Sequence, residues 1–209
     1  MSATSFTLDD LTLDYSQEDY KPQRRDGKPG LTYEFKIANA KIKQHNQGYL
    51  AVTLENHALD GDGKVMFKKN VFLALPVSVG ENSSPTYAKG MWLNQVRPLF
   101  SEIAPYDRQE KDEITGRKIY FKDGRQLDKD EIEPAIVEAN KKVGEMAKDC
   151  ARAWIEHGDD AVLDMFIDRT FFAMLQEDKS GKYVNITRMS SKAPEEGEVC
   201  YDRKVALGS

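Results

Sequence analysis

Aromatic residues standing beside cations are the feature of this sequence best able to do chemistry. Tyr49, Phe72, Phe172 and Tyr183 each lie in a stretch where apolar and polar residues alternate, in the phase opposite to the neighbouring Leu, Val, Ile and Ala residues. Successive side chains of a strand point to opposite faces, so that phase puts all four rings on the outside of a sheet whose inside is apolar. Lys41, Lys43, Lys68, Lys69, Lys182 and Arg188 lie in the same stretches. Exposed rings stack on bases and cations neutralise phosphate, so the combination suits sequence-tolerant binding of a single-stranded nucleic acid, each stack contributing roughly 1–3 kcal/mol. The competing expectation for each ring is that it packs under another part of the chain. If the third strand has the inverse phase, Phe67 and Lys69 replace Phe72 and Lys68. A further group, Lys118, Tyr120, Phe121, Lys122 and Arg125, surrounds the turn Asp123-Gly124. It supplies candidate contacts to a nucleic-acid strand or, the favoured expectation, packs on a long helix.

Other chemistries find weaker support. Asp164 or Asp168 followed by Glu177-x-Lys179 imitates the layout with which nucleases hold Mg²⁺, but those charges run into Ser180-Gly181 and read as a hairpin turn. Asp60 and Asp62 imitate part of a calcium loop without its remaining acids, and a turn is again the better account. The phosphate-loop, nucleophile-elbow, HExxH and zinc-deaminase patterns are absent. Cys150 and Cys200 are far apart, with no CxxC and no clustered histidines, which suits neither a disulfide framework nor zinc. No catalytic residue, metal or cofactor is expected, His45 is read as a solvated turn residue, and a reducing cytoplasm is the expected setting.

These residues must be carried by a chain of 209 residues, 40% hydrophobic and 31% charged, enough for one ordinary domain with a real core. The net charge is −5, so a nucleic-acid surface must be local. Charge is segregated in that direction: residues 31–75 carry +2 and 169–192 carry +3, leaving −10 for the rest. No apolar run approaches the roughly 18–20 residues that span a bilayer, and the polar start lacks a signal-peptide core.

Residues 1–30 read as a polar arm with a short strand signal at Phe6, Leu8, Leu11 and Leu13. Leu31, Tyr33, Phe35 and Ile37 then alternate with polar residues, and the alternation resumes in the opposite phase at Ala38, Ala40 and Ile42, as in a bulged, bent strand. Two more strands follow, up to Pro76, with Asp60-Gly61-Asp62-Gly63 closing the second hairpin. Residues 87–103 predict a helix interrupted near Pro98, 118–127 a hairpin, and 132–155 a strongly amphipathic helix stopped by Gly158. Trp92 and Trp154 lie on apolar stripes and are expected in the core. Trp154 and Ile155 extend the stripe to the helix end, so dimerisation through these helices is a further expectation. A short helix at 160–167 and a hairpin of strands 170–176 and 182–189 close the domain, with a mobile tail at 192–209.

The order β-β-β-α-β-β is that of an OB-fold, a five-stranded barrel, here with a large helical insertion at about 77–169. Its bent first strand is the one that must pair with two neighbours for the barrel to close. The run GYLAVTLENHALDGDGKVMFKKNVFLAL, the helical segment GMWLNQVRPLF and the closing FFAMLQEDKSGKYVNITRMSS resemble phage-encoded single-stranded DNA-binding proteins of replication and recombination gene clusters. The resemblance covers roughly residues 31–191, with 106–130 untypical. It implies an OB-fold, sequence-independent binding of single-stranded DNA, replication or recombination proteins as partners, no cofactor and no catalysis. Many such proteins end in an acidic tail with a terminal aromatic residue, where this sequence ends KVALGS. The alternative expectation is a protein-interaction module acting through the insertion.

Overall fold

The structure is a computed structural model that describes residues 27–100, 103–194 and 199–208. The short strand expected near Phe6 to Leu13 lies outside them. Strand β1 (Thr32–Gln44) buries Tyr33, Phe35 and Ile37, then Ala40 and Ile42, and its pairing with β2 (Leu50–Leu59) shifts register between Ile37 and Asn39. The change of phase in the sequence is thus a bulge, which bends the strand so that its two halves serve different neighbours. The C-terminal part pairs with β2 and the N-terminal part with β7 (Thr170–Glu177). Backbone bonds between Ile37 and Asp168 and Arg169 continue the second ladder past the bend.

β3 (Val65–Ala74) pairs with β2, and β8 (Val184–Ser190) with β7, giving one antiparallel sheet of order β3-β2-β1-β7-β8. Its concave side holds an aromatic nest in which Phe35 stacks on Phe171 at 5.4 Å and Phe67 meets Tyr33 and Phe35 edge-on. Gly27, at φ +82°, lies so close to Phe67 and Leu175 that a Cβ there would overlap the phenylalanine ring and a leucine methyl, and both its space and its backbone favour glycine. Among the described residues the ladder does not close. β3 and β8 remain its two edges, and the expected closed barrel is replaced by a curled, open sheet.

The insertion fills part of that opening. Helix α1 (Ala88–Val96) lies against β3, and the 3-10 turn that Pro98 imposes, Arg97–Leu99, lies against β8. Trp92, fully buried, donates its indole N–H to the Val143 carbonyl of α2 (Lys129–His157) at 2.9 Å. α2 starts at a capping box, Asp128 with Glu131, and buries Ile132, Ala139, Val143, Ala147, Cys150 and Ala151. Burial along the stripe stops there: Ile155 is 65% exposed, and Trp154 is only half-buried, which corrects its expected place in the core. A short α3 (Leu163–Phe166) leads into β7. No helix among the described residues is long and apolar enough to cross a membrane.

Two departures come from segments with little apolar signal. The charged stretch before the expected hairpin forms a strand, β4 (Arg108–Lys111), so β4, β5 (Lys118–Lys122) and β6 (Arg125–Gln126) make a separate three-stranded sheet. The segment expected to be a mobile tail is docked over residues 199–208. Val199 bridges Thr32, Cys200 N–H donates to the Thr32 carbonyl, Tyr201 donates to Glu34 at 2.9 Å, and α4 (Arg203–Leu207) buries Ala206. That tail covers the part of β1 that β2 has left, where backbone groups need partners.

Candidate functional site

Charge and aromatic surface converge on the gap between the sheet's two edges. The β7–β8 hairpin is built on Asp178, whose carboxylate accepts from the Ser180 hydroxyl and from the backbone N–H groups of Lys182 and Tyr183. The Ser180 hydrogen bond above all, then those N–H groups, holds this carboxyl below its usual range. The rigid turn presents Lys182 and Tyr183 to solvent, the tyrosine 67% exposed. Val184 points inward, which fixes Tyr183 and Asn185 outward. Facing them across the seam are Lys68, Lys69 and Asn70 of β3 and Glu55 of β2, and together these residues line a cleft of about 430 Å³.

Glu55 is the acid of this cleft. Its carboxylate contacts His57 Nε2 at 2.7 Å and accepts from Lys68 Nζ at 3.0 Å, and these two bonds, His57's first, lower its pKa. Phe72 lies farther along β3 on the outward face of Lys68 and Asn70, 42% exposed, with its edge toward His45 at 5.9 Å. Register carries that face across the sheet: Phe72 is opposite Thr53, and Thr53 opposite Lys41. Lys41 is tied to Asp160 at 3.3 Å, both side chains largely exposed, while Lys43 has no ion-pair partner among the described residues. An exposed pair of this kind is worth little and exchanges readily for another anion.

The remaining expected residues are placed elsewhere. Tyr49 faces outward as the alternation required, yet it is only 5% exposed. The start of α1 folds over that end of the sheet, so Tyr49 packs with Ala51, Ala74 and Ala88, stacks on His45 at 4.5 Å, and shares a 3.3 Å hydrogen bond with the Tyr87 hydroxyl. It is therefore covered, which corrects its assignment as an available stacking ring. His45, expected to be solvated, is half-buried in the same cluster. Tyr87, exposed beside it, carries no signal in the sequence, being a lone tyrosine before a helix. Phe172 is half-buried in a cross-strand row with Glu34 and Ser190 and does not line the cleft. Arg188 lines a different cavity, of about 390 Å³, between β8 and the insertion.

In the insertion, packing wins over display. Tyr120 lies on Tyr106 at 4.7 Å, and Tyr106 accepts from Arg97. Lys122 reaches the Ala104 carbonyl, and Arg125 clasps Glu131 with both terminal nitrogens, at 2.8 and 2.9 Å. That clasp first, then the capping N–H of Asp128, pulls the Glu131 pKa down to about 2. Lys118 stays exposed at the end of β5. The nuclease-like acids do not converge: Asp168 pairs with Lys36 at 2.7 Å, Asp164 lies exposed on α3, and Glu177 ends β7. Among the described residues no three His, Cys, Asp or Glu side chains are grouped to hold a metal. No family model, curated protein or solved structure compared with the chain matches it.

Proposed function

We propose that this chain binds single-stranded DNA without choice of sequence and covers it during phage replication or recombination, using an OB-fold that is open at the seam between β3 and β8. The observation that carries the reading is one cleft with the exposed ring of Tyr183 on its β8 side and Lys68, Lys69 and Asn70 on its β3 side, with a second exposed ring, Phe72, outside the cleft farther along β3. Phe72 and Lys68 are four residues apart on one strand face, about 13 Å, room for more than one base between ring and cation. Bases stack on the rings while Lys68, Lys69 and Lys182 neutralise phosphate, with Lys41 and Lys43 continuing the positive face. Strand order supports the fold assignment, since the faces of strands two and three and the loops beside them are where OB-folds meet oligonucleotides.

A fluorescence-anisotropy titration of labelled dT30 and its duplex, at two salt concentrations with and without Mg²⁺, tests the proposal. Preference for the single strand, weakened by salt with a slope of about −0.7 per phosphate engaged, supports it. No binding at low salt refutes it, and Mg²⁺-dependent cleavage would replace it with a nuclease. The competing reading, a protein-docking insertion, is favoured by Ile114, which stands 96% exposed on the β4–β5 turn.

A further inference from the structure

We infer that the cavity between β8 and the insertion is a second subsite, which holds a backbone phosphate of the strand that occupies the first cleft. This rests on the reading of that cleft given above. Both cavities lie along β8: residues Tyr183 to Asn185 line one and Ile186 to Ser190 the other. A strand stacked on Tyr183 can therefore run along one edge into the second cavity without crossing the sheet.

The second cavity offers a phosphate two guanidinium groups. Arg97 is held by neutral partners, Asn140 and the Tyr106 hydroxyl, with its charge over the Tyr106 ring at 5.6 Å, and among the described residues no carboxylate pairs with it. Arg188 has no hydrogen-bond or ion-pair partner among the described residues. By contrast Lys192, also on the wall, is committed to Asp107 at 2.7 Å and Asp123 at 3.4 Å. Asp107 is the cavity's carboxylate, and it is already neutralised there. Planar guanidinium forks match phosphate oxygens, and about 390 Å³ is within the range that admits a small ligand such as one nucleotide.

Backbone geometry singles out Arg188 as well. It sits at φ +50°, where the β7–β8 register shifts between Phe172 and Met174. A residue with a Cβ is disfavoured in that region, and a glycine or asparagine would occupy it more easily. The bulge takes Arg188 out of the ladder alternation and leaves its side chain on the cavity wall, an outlier of the kind retained where a side chain has a use. The insertion, through Arg97 and the segment Ala104 to Asp107, then acts as the far wall of the binding path.

Arg188→Gly tests this, because glycine removes the guanidinium and keeps the left-handed backbone. In anisotropy titrations with dT30 the variant should bind 3- to 10-fold more weakly and lose about 0.7 from the salt slope, the share of one phosphate, with no loss of melting temperature. Tyr183→Ala should weaken binding with the slope unchanged. Wild-type affinity and slope in Arg188→Gly, beside a weakened Tyr183→Ala, overturn the subsite and leave the cleft standing. If the wild-type chain does not bind dT30, the cleft reading falls instead. Millimolar inorganic phosphate raising the melting temperature of the wild type alone would then keep a phosphate site and overturn its assignment to a strand.

Discussion

Replacing Tyr183 and Tyr49 by alanine, one at a time, separates binding from folding. Tyr183 is 67% exposed on a turn held by Asp178, so its ring contributes little to the core. Its loss should change stability by no more than about 0.5 kcal/mol, which in a chain of this size is about 2 °C in melting temperature. As a stacking ring it contributes about 1–3 kcal/mol to binding, so affinity for dT30 should fall about 5- to 150-fold. Tyr49 reverses the ratio. Truncating a 5%-exposed ring removes its stack on His45, its contacts with three alanines and its hydroxyl bond to Tyr87. That should cost about 3 kcal/mol, or about 6–12 °C, while affinity measured well below the transition changes little. Thermal melts and anisotropy at 15 °C on the two variants read both quantities. Unchanged affinity in Tyr183→Ala together with a melting temperature several degrees lower would show that the ring is structural and that the strand does not use the cleft.

Arg188→Gly should melt at the wild-type temperature or up to about 4 °C higher, since relief of the positive φ is partly offset by the greater freedom of glycine in the unfolded chain; a clear drop would mean the side chain holds the fold. Glu55→Gln releases Lys68 from its ion pair and removes the acid from the cleft, so dT30 affinity should rise about 2- to 5-fold at low salt, and a fall would place the strand elsewhere. The Glu131 carboxyl, about 2 in the folded chain against an ordinary 4.5, contributes stability that is complete above pH 4.5 and is lost as pH falls from there toward 2. Glu131→Gln should therefore flatten the acid limb of a plot of melting temperature against pH; an unchanged limb would mean that other carboxylates set it. Burial pushes the Cys150 thiol up to about 12, so an aromatic disulfide reagent at pH 8 should modify Cys200 in the native protein and Cys150 only after unfolding. Equal native rates for the two thiols would contradict the packing of α2.

Most of the frame was legible because apolar alternation reports it directly. The phase change between Ile37 and Ala40 announced the bulge in β1, and Pro98 announced the break after α1. What alternation cannot report is whether an outward residue meets water or a second layer. Tyr49 and Tyr183 have the same local signature, and only the position of α1 over one end of the sheet tells them apart. β4 was illegible because Arg108 to Lys111 contains no apolar residue, its pairing being almost wholly backbone. The docking of Val199 to Leu207 rests on a few contacts spread over nine positions, and the apolar residues among them follow neither a strand nor a helix period. The cleft itself is a property of two edges distant in sequence, so its members could be named separately but not assembled. Nothing in the local sequence marks Arg188 as left-handed, since the residues that usually occupy that region are glycine and asparagine.

On the proposed function, the open seam gives the lysines beside it two tasks that one placement serves. Exposed strand edges invite pairing with another chain, and charged side chains on an edge discourage it because pairing would bury them. β3 carries Lys68 and Lys69 where it faces the gap, and the opposite hairpin carries Lys182. Against another protein's strand these ammonium groups impose a desolvation cost. Against a nucleic-acid strand the same groups are attractive, because a polyphosphate brings the compensating charge and leaves the cations at the wet rim. An edge built this way excludes β-strands and admits phosphates. Glu55 moderates it by holding Lys68 through an exposed and replaceable ion pair while the cleft is empty. On this account closure of the sheet into a full barrel would remove the gap between Tyr183 and Asn70, so the unclosed seam and the site are one feature of the fold.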